Sequence, residues 1–340
     1  MGAYLERDDG AVRAPGTKQM KKGMLPIIVV FGLAIAVALS GCTAPAAGNG
    51  GFNTEKYRII FVTPQLDFPV WNEVKAGFFE AMAEYDFYGE YVGAENCNIE
   101  DMKREINIAL YEDVDAVLTC PLTPSEFTEE LLEMKEKGIP VITLLVDAEK
   151  EYMRTAYIAP DYYKLGWEQA EALHAQVGDE MKIGVIMTGL KTQNQVTQVE
   201  RLKEYLEGLP ESEIIAYAED FDNPITGKKV LSEMLEAHPD INALFVTAGD
   251  TVSTYGKTIR EYGWADRITL IGMDATHENV ESVISGDVYG IVSQNLFKVG
   301  HLGGRYAYEA ACGLPVPSTT FVEHELITQK NAEAIELLPQ

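Results

Sequence analysis

The chain has 340 residues, 46% hydrophobic and 24% charged, an ordinary globular composition that excludes wholesale disorder and leaves room for two domains. Lys and Arg total 27 against 53 Asp and Glu, a formal charge of −26. So acidic a body repels phosphate backbones, which excludes nucleic acid as a partner.

Lys18, Lys21 and Lys22 precede an apolar run from Leu25 to Leu39 that ends in Leu39-Ser40-Gly41-Cys42. A basic segment, an apolar stretch and small residues before a cut are the parts of a secretory signal. The run is too short to span a bilayer, which takes about 20 residues. Its ending resembles a bacterial lipobox, in which the Cys becomes lipidated and then N-terminal. Residues 1–41 are therefore expected to be a signal of the lipoprotein type, with initiation at Met20 or Met24. Cys42 is the expected lipid anchor on the outer face of the cytoplasmic membrane or in the periplasm. Residues 42–55, rich in Ala and Gly, read as a flexible tether. Cys97, Cys120 and Cys312 lack any CxxC spacing and form neither a disulfide framework nor a zinc motif.

From Tyr57 onward, short apolar runs alternate with amphipathic stretches. Strands are predicted at Tyr57–Val62, Ala116–Thr119, Val141–Leu145, Lys182–Met187, Ile214–Tyr217, Ala243–Val246 and Ile268–Ile271. Nearly continuous apolar character suits parallel strands covered on both faces. Val74, Phe78, Met82 and Tyr85 recur at helical spacing. Thr123-Pro124-Ser125-Glu126 reads as a helix start with Thr as cap and Glu closing a capping box. The alternation predicts an α/β protein with parallel sheets. Its length favours two similar lobes, whose ligand-facing loops follow the carboxyl ends of the strands.

Catalytic signatures are missing. No GxGxxG follows a strand, and there is no GxxxxGK[ST], GxSxG or HExxH. Asp220-Phe221-Asp222-Asn223-Pro224 approaches a calcium loop but lacks its glycine. No metal, cofactor or catalytic set is therefore expected, and the protein reads as a binder rather than an enzyme. Polar and aromatic residues gather just after the predicted strands. They include Phe68 and Trp71 after the first, Asp147 after the third, and Arg201 on the helix following Lys182–Met187. Asp220-Phe221-Asp222, Asp250, Asp274 and Ser293-Gln294-Asn295 continue the series. Carboxylates, amides and Arg can each engage neighbouring hydroxyls, and aromatic faces cover C–H surfaces, which suits a sugar. Duller roles exist: Phe68 and Trp71 as a hydrophobic staple, Asp147 and Asp250 as loop or capping acids, Arg201 paired with a Glu on its own helix.

Pro140-Val141-Ile142-Thr143, Ile158-Ala159-Pro160-Asp161, Ala237-His238-Pro239-Asp240, Ile271-Gly272-Met273-Asp274, and Gln294 with Gly300 resemble the type I periplasmic binding proteins of the ribose-binding kind. Those are substrate-binding components of ABC sugar transporters, and the resemblance runs from Tyr57 to Asn331. It implies two Rossmann-like lobes joined by three crossovers, near Ala159-Pro160-Asp161, Gln294-Asn295 and Glu323-His324-Glu325. The first lobe would take residues 56–159 plus 295–322, the second 160–294 plus 323–340. By position, Arg201, Phe221, Asp274 and Gln294 would contact the ligand, with Trp71 stacking on it. The first lobe departs from the pattern. Phe68 stands for an Asn, Val70 for a second aromatic, and Leu145-Val146 for an Asp-Arg pair, with Asp147 next. In the second lobe Ala248-Gly249 replaces Asn-Asp, with Asp250 next. Ribose fits poorly; a more apolar or deoxygenated sugar, a polyol or another small neutral ligand fits better. The implied role is a monomeric lipoprotein delivering a sugar-like solute to an ABC permease. The alternative is a sensory lipoprotein presenting ligand to a membrane histidine kinase or chemoreceptor.

Overall fold

The computed structural model describes residues 56–335 and Leu337; the expected signal, Cys42 and the tether lie outside them. The chain first lays down β1 (Arg58–Thr63), α1 (Pro69–Tyr85), β2 (Tyr88–Gly93), α2 (Ile99–Tyr111), β3 (Ala116–Thr119), α3 (Thr128–Glu136), β4 (Val141–Leu144) and β5 (Ala156–Pro160). It then crosses to α4 (Tyr162–Val177), β6 (Lys182–Met187), α5 (Gln193–Leu206), β7 (Glu213–Glu219), α6 (Pro224–Ala237), β8 (Ala243–Val246), α7 (Val252–Glu261), β9 (Thr269–Met273), α8 (His277–Ser285) and β10 (Gly290–Ser293). It returns through α9 (Leu296–Ala311) and β11 (Thr319–Val322), then crosses a last time to β12 (Glu325–Thr328).

Two six-stranded sheets result, in the orders β11-β5-β4-β3-β1-β2 and β12-β10-β9-β8-β6-β7. Every pairing is parallel except β10 with β12. The expected architecture, two parallel-sheet lobes with three crossings, is the one observed. Strands β3, β4 and β8 are buried throughout, as continuous apolar runs covered by helices on both faces must be. Strand β2 escaped the sequence reading because it is an edge strand, YGEYVG, with no fully buried position.

In the first lobe, Val74, Phe78 and Ala81 of α1 and Val299 and Ala307 of α9 cover one face of the sheet, while Met102, Ile106, Leu131 and Met134 cover the other. The approach of α1 to α9 is unusually close. A Cβ on Gly300 would lie 1.9 Å from the Val74 carbonyl oxygen, and one on Gly77 would lie 2.0 Å from that of Phe297. Only glycine permits such backbone contact.

At the first crossing Asp161 caps α4, its carboxylate accepting from the Tyr163 and Lys164 amides at 3.1 Å each. At the second, Asn295 adopts a left-handed conformation (φ 53°) before α9, a geometry Asn tolerates better than most residues. At the third, His324 Nε2 lies 2.8 Å from Glu168 of α4. A small buried cluster of Ala159, Tyr162, Leu165, Met273 and Val292 packs beside these crossings.

The expected helix start at Thr123 is different in detail. Pro124–Phe127 forms a 3₁₀ turn, Thr123 makes no side-chain cap bond, and α3 begins only at Thr128. Freed from capping, Thr123 faces the space between the lobes.

Candidate functional site

The carboxyl ends of the two sheets enclose a cavity of about 640 Å³, within the usual range for small-molecule sites. In the first lobe its wall is largely apolar: Trp71, Leu122, Leu145 and Val146, with the Cys97 and Cys120 side chains. Trp71 is 6% exposed and meets Phe61 edge-to-face at 6.5 Å, so its ring is fixed by the core behind it.

The second lobe supplies the polar wall, one strand end at a time. Asp274 follows β9 in a left-handed conformation (φ 65°) and is 5% exposed. Its Oδ1 accepts a hydrogen bond from Gln294 Nε2 at 2.6 Å, and Gln294 Oε1 accepts from the Tyr162 hydroxyl at 2.6 Å. This relay orients both side chains toward the cavity, which both line. Beneath them Asn279, 1% exposed, donates to the carbonyls of Gly249 (2.9 Å), Met273 (3.2 Å) and Asp274 (3.0 Å). One amide thereby ties two strand-end loops together.

After β7, Asp220 is fully buried and accepts from Thr251 Oγ1 at 2.6 Å and the Tyr255 hydroxyl at 2.5 Å. It serves as a foundation, also receiving the Asp222 amide at 3.0 Å. Phe221 and Asp222 above it adopt left-handed backbones (φ 57° and 51°) and line the cavity. Strained non-glycine positions of this kind gather at ligand sites. Asp222 Oδ2 accepts from Thr188 Oγ1 at 2.8 Å, while its Oδ1 and Asp250 Oδ1 are buried without hydrogen-bond partners.

The electrostatics follow from this burial. Removal from water raises the Asp250 carboxyl to about 8, with Asp222 and Asp274 adding repulsion. Asp222 rises to about 7 through burial and the neighbouring Asp220. Asp274 rises to about 7 through burial, opposed by the Gln294 hydrogen bond. Among the lining residues Lys191 is the one cationic side chain, and it is exposed.

Five of the eight sequence-predicted residues line the cavity: Trp71, Phe221, Asp250, Asp274 and Gln294. Three do not. Arg201 stands on the α5 face turned toward α4, its guanidinium 3.4 Å from the Tyr163 ring centre and 4.9 Å from that of Trp167, and it pairs with Glu204 on its own helix. The residue one turn earlier, Gln198, lines the cavity instead. Asp147 turns back to hold Arg154, receiving Nε at 2.8 Å and NH2 at 2.9 Å. Phe68 precedes α1 as its cap residue and packs on the first-lobe core. Sequence reasoning missed Gln195 and Gln198, whose signal was their place in the first turns of the helix after β6. It placed Asp222 in the series after the strands and in an incomplete calcium loop, without singling it out as a ligand contact.

Residues 59–315 match the family described as periplasmic binding protein domain. The chain belongs to that family. It is a solute-binding protein and not an enzyme. This periplasmic binding protein is 23% identical over 315 residues to the ribose import binding protein RbsB of Bacillus subtilis, covering 92% of this chain and all of the relative. It is 18% identical over 256 residues to a xylitol-binding protein of Mycolicibacterium smegmatis, covering 75% of this chain and 72% of that one. Among solved structures it is similar to GanP, a glucose-galactose binding protein from Geobacillus stearothermophilus. That similarity has a TM-score of 0.78 and 26% identity, and it covers 82% of this chain and 99% of that one.

Proposed function

We propose that this periplasmic binding protein is anchored through Cys42 and captures a sugar-sized, hydroxyl-bearing solute between its lobes for delivery to an ABC permease. The observation that carries the reading is the cavity itself. An apolar wall with the fixed Trp71 ring faces a wall of hydrogen-bonding groups ending in Asp274 and Gln294. The C–H face of a ring or polyol suits the first, and its hydroxyls suit the second. Trp71 and Phe221 are the proposed stacking residues; Asp222, Asp250, Asp274, Gln198 and Gln294 are the proposed polar contacts. The ligands named for RbsB, the xylitol-binding protein and GanP support a sugar or polyol class. Hydrogen bonds of this kind contribute usefully where closure removes competing water, and the crossings beside the Tyr162 cluster are the natural pivots.

A thermal-shift screen over monosaccharides, polyols and nucleosides tests the proposal, because a ligand that binds only the folded state raises the midpoint. At least one sugar or polyol should do so and should also compact the protein in small-angle scattering. A screen in which only nucleosides act, or in which scattering is identical with and without saturating ligand, overturns it.

A further inference from the structure

The cavity's polar wall is one-sided in both charge and hydrogen-bonding sense. Asp222, Asp250 and Asp274 converge on it, and no Arg or His lines it. Its unsatisfied groups are acceptors. Asp222 Oδ1, Asp250 Oδ1 and Gln198 Oε1 are all buried without a partner, and Gln198 is 1% exposed while lining the cavity. Buried acceptors without donors are costly, so whatever occupies this space must bring donors. A neutral hydroxyl brings one donor; a protonated amine brings up to three, together with a positive charge that the three acids can answer by ionising. A metal ion is a worse match, because among the described residues no group of three carboxylate, His or Cys side chains is spaced to hold one.

Resting on the sugar-capture reading, we propose that the ligand bears a protonated amino group, as in an amino sugar or amino polyol, held against Asp222, Asp250 and Asp274. The hydroxyls then reach Gln198 and Gln294. The C–H face lies on Trp71, Leu145 and Val146, a wall where a charged group would find no partner. Phe221, 63% exposed at the cavity's edge, offers a ring face that attracts a cation further.

The charge state gives the proposal its own signature. In the ligand-free cavity burial holds Asp222 and Asp274 near 7 and Asp250 near 8, with repulsion from Asp220 adding to Asp222, from Glu73 to Asp274 and from Asp222 and Asp274 to Asp250, so near neutral pH they are partly protonated. The other titratable groups facing them are Asp220, Glu219, Glu278, Glu73, the hydroxyls of Tyr162 and Tyr255, the Cys97 and Cys120 thiols and the exposed Lys191. An arriving ammonium favours the ionised carboxylates, so binding at pH 7 releases protons. A neutral sugar has no such requirement.

The test is calorimetry on the full chain with matched pairs: glucosamine against glucose, galactosamine against galactose, and 1-amino-1-deoxysorbitol against sorbitol. The amine of at least one pair should bind roughly tenfold or more tighter than its neutral partner. Its heat should depend on buffer ionisation enthalpy with the sign of proton release. Asp250→Asn and, separately, Asp222→Asn should erase most of that preference while keeping cooperative melting. If the neutral partners bind equally or better, the amine inference is overturned and sugar capture stands. If calcium chloride alone binds at one equivalent, the acidic wall is a metal site and the inference is likewise overturned. If no member of any pair binds, the amine inference is overturned, and sugar capture is decided by the wider thermal-shift screen.

Discussion

Replacing Asp274 by Ala should have opposite effects on stability at acid and alkaline pH. In the ligand-free protein its carboxyl, ordinarily 3.8, is held near 7. A carboxyl raised on folding leaves the native state binding more protons than the unfolded one. Its contribution to stability therefore falls as pH rises between the two values, by about 1.4 kcal/mol per pH step. From pH 5 to pH 8 the wild type should thus lose about 2–3 kcal/mol through this group alone, and the variant should not. At pH 5 the variant forfeits the Gln294–Asp274 hydrogen bond and leaves a buried amide donor unpaired, a cost of about 1–3 kcal/mol. The variant should accordingly be less stable than wild type at pH 5 and equal or more stable at pH 8. Urea unfolding of both proteins at the two pH values, without ligand, reads this directly. A stability difference that stays the same at pH 5 and pH 8 refutes the reasoning. In calorimetry with the ligand found by screening, the variant should bind at least roughly tenfold more weakly, since a charge-assisted bond of about 1.5–3 kcal/mol is lost.

Asp147→Ala should behave in the reverse sense, because it strips a carboxylate from Arg154, whose side chain is 2% exposed. About 2–3 kcal/mol of stability should go, less than for a fully buried pair since Ser318 and Thr319 still accept from that guanidinium, and affinity should not move. Gly300→Ala should cost about 3 kcal/mol, the upper end for overpacking, because the new methyl would meet the Val74 carbonyl oxygen; denaturant midpoints report it. Mass spectrometry of the N-terminal peptide of the mature protein should find lipidated Cys42, and an unmodified Cys42 or a cut elsewhere counts against the anchor.

Most of the fold was legible because buried parallel strands advertise themselves. The runs Ala116–Thr119, Lys182–Met187 and Ala243–Val246 are apolar for the same reason that they are central. Edge strands such as Tyr88–Gly93 and Thr319–Val322 keep solvent-facing residues and blend with loops. Asp274's place on the cavity wall was readable because an acid directly after a buried strand has few other places to go. Arg201 was not, because a helix residue's role depends on which face it occupies. The neighbours that claim it, Tyr163 and Trp167, are more than thirty positions away. Asp147 was misread for a local reason: the Arg that takes it lies seven residues on. The orphan acceptors that distinguish this cavity had no signature in the sequence, since a Gln or Asp looks the same whether or not its oxygen finds a donor.

The order in which the sheets recruit their strands bears on how the chain can be made. The first sheet is not complete until β11, nor covered on one face until α9 has folded back against α1, and both come after strands β6 to β10 of the second sheet. The second sheet in turn receives its antiparallel edge only from β12. Domains of most proteins fold one after another as synthesis proceeds. Here neither lobe can finish until β11 and β12, at Thr319–Val322 and Glu325–Thr328, have been made. A chain built in that order stays open through most of its synthesis and locks only once both late strands are available.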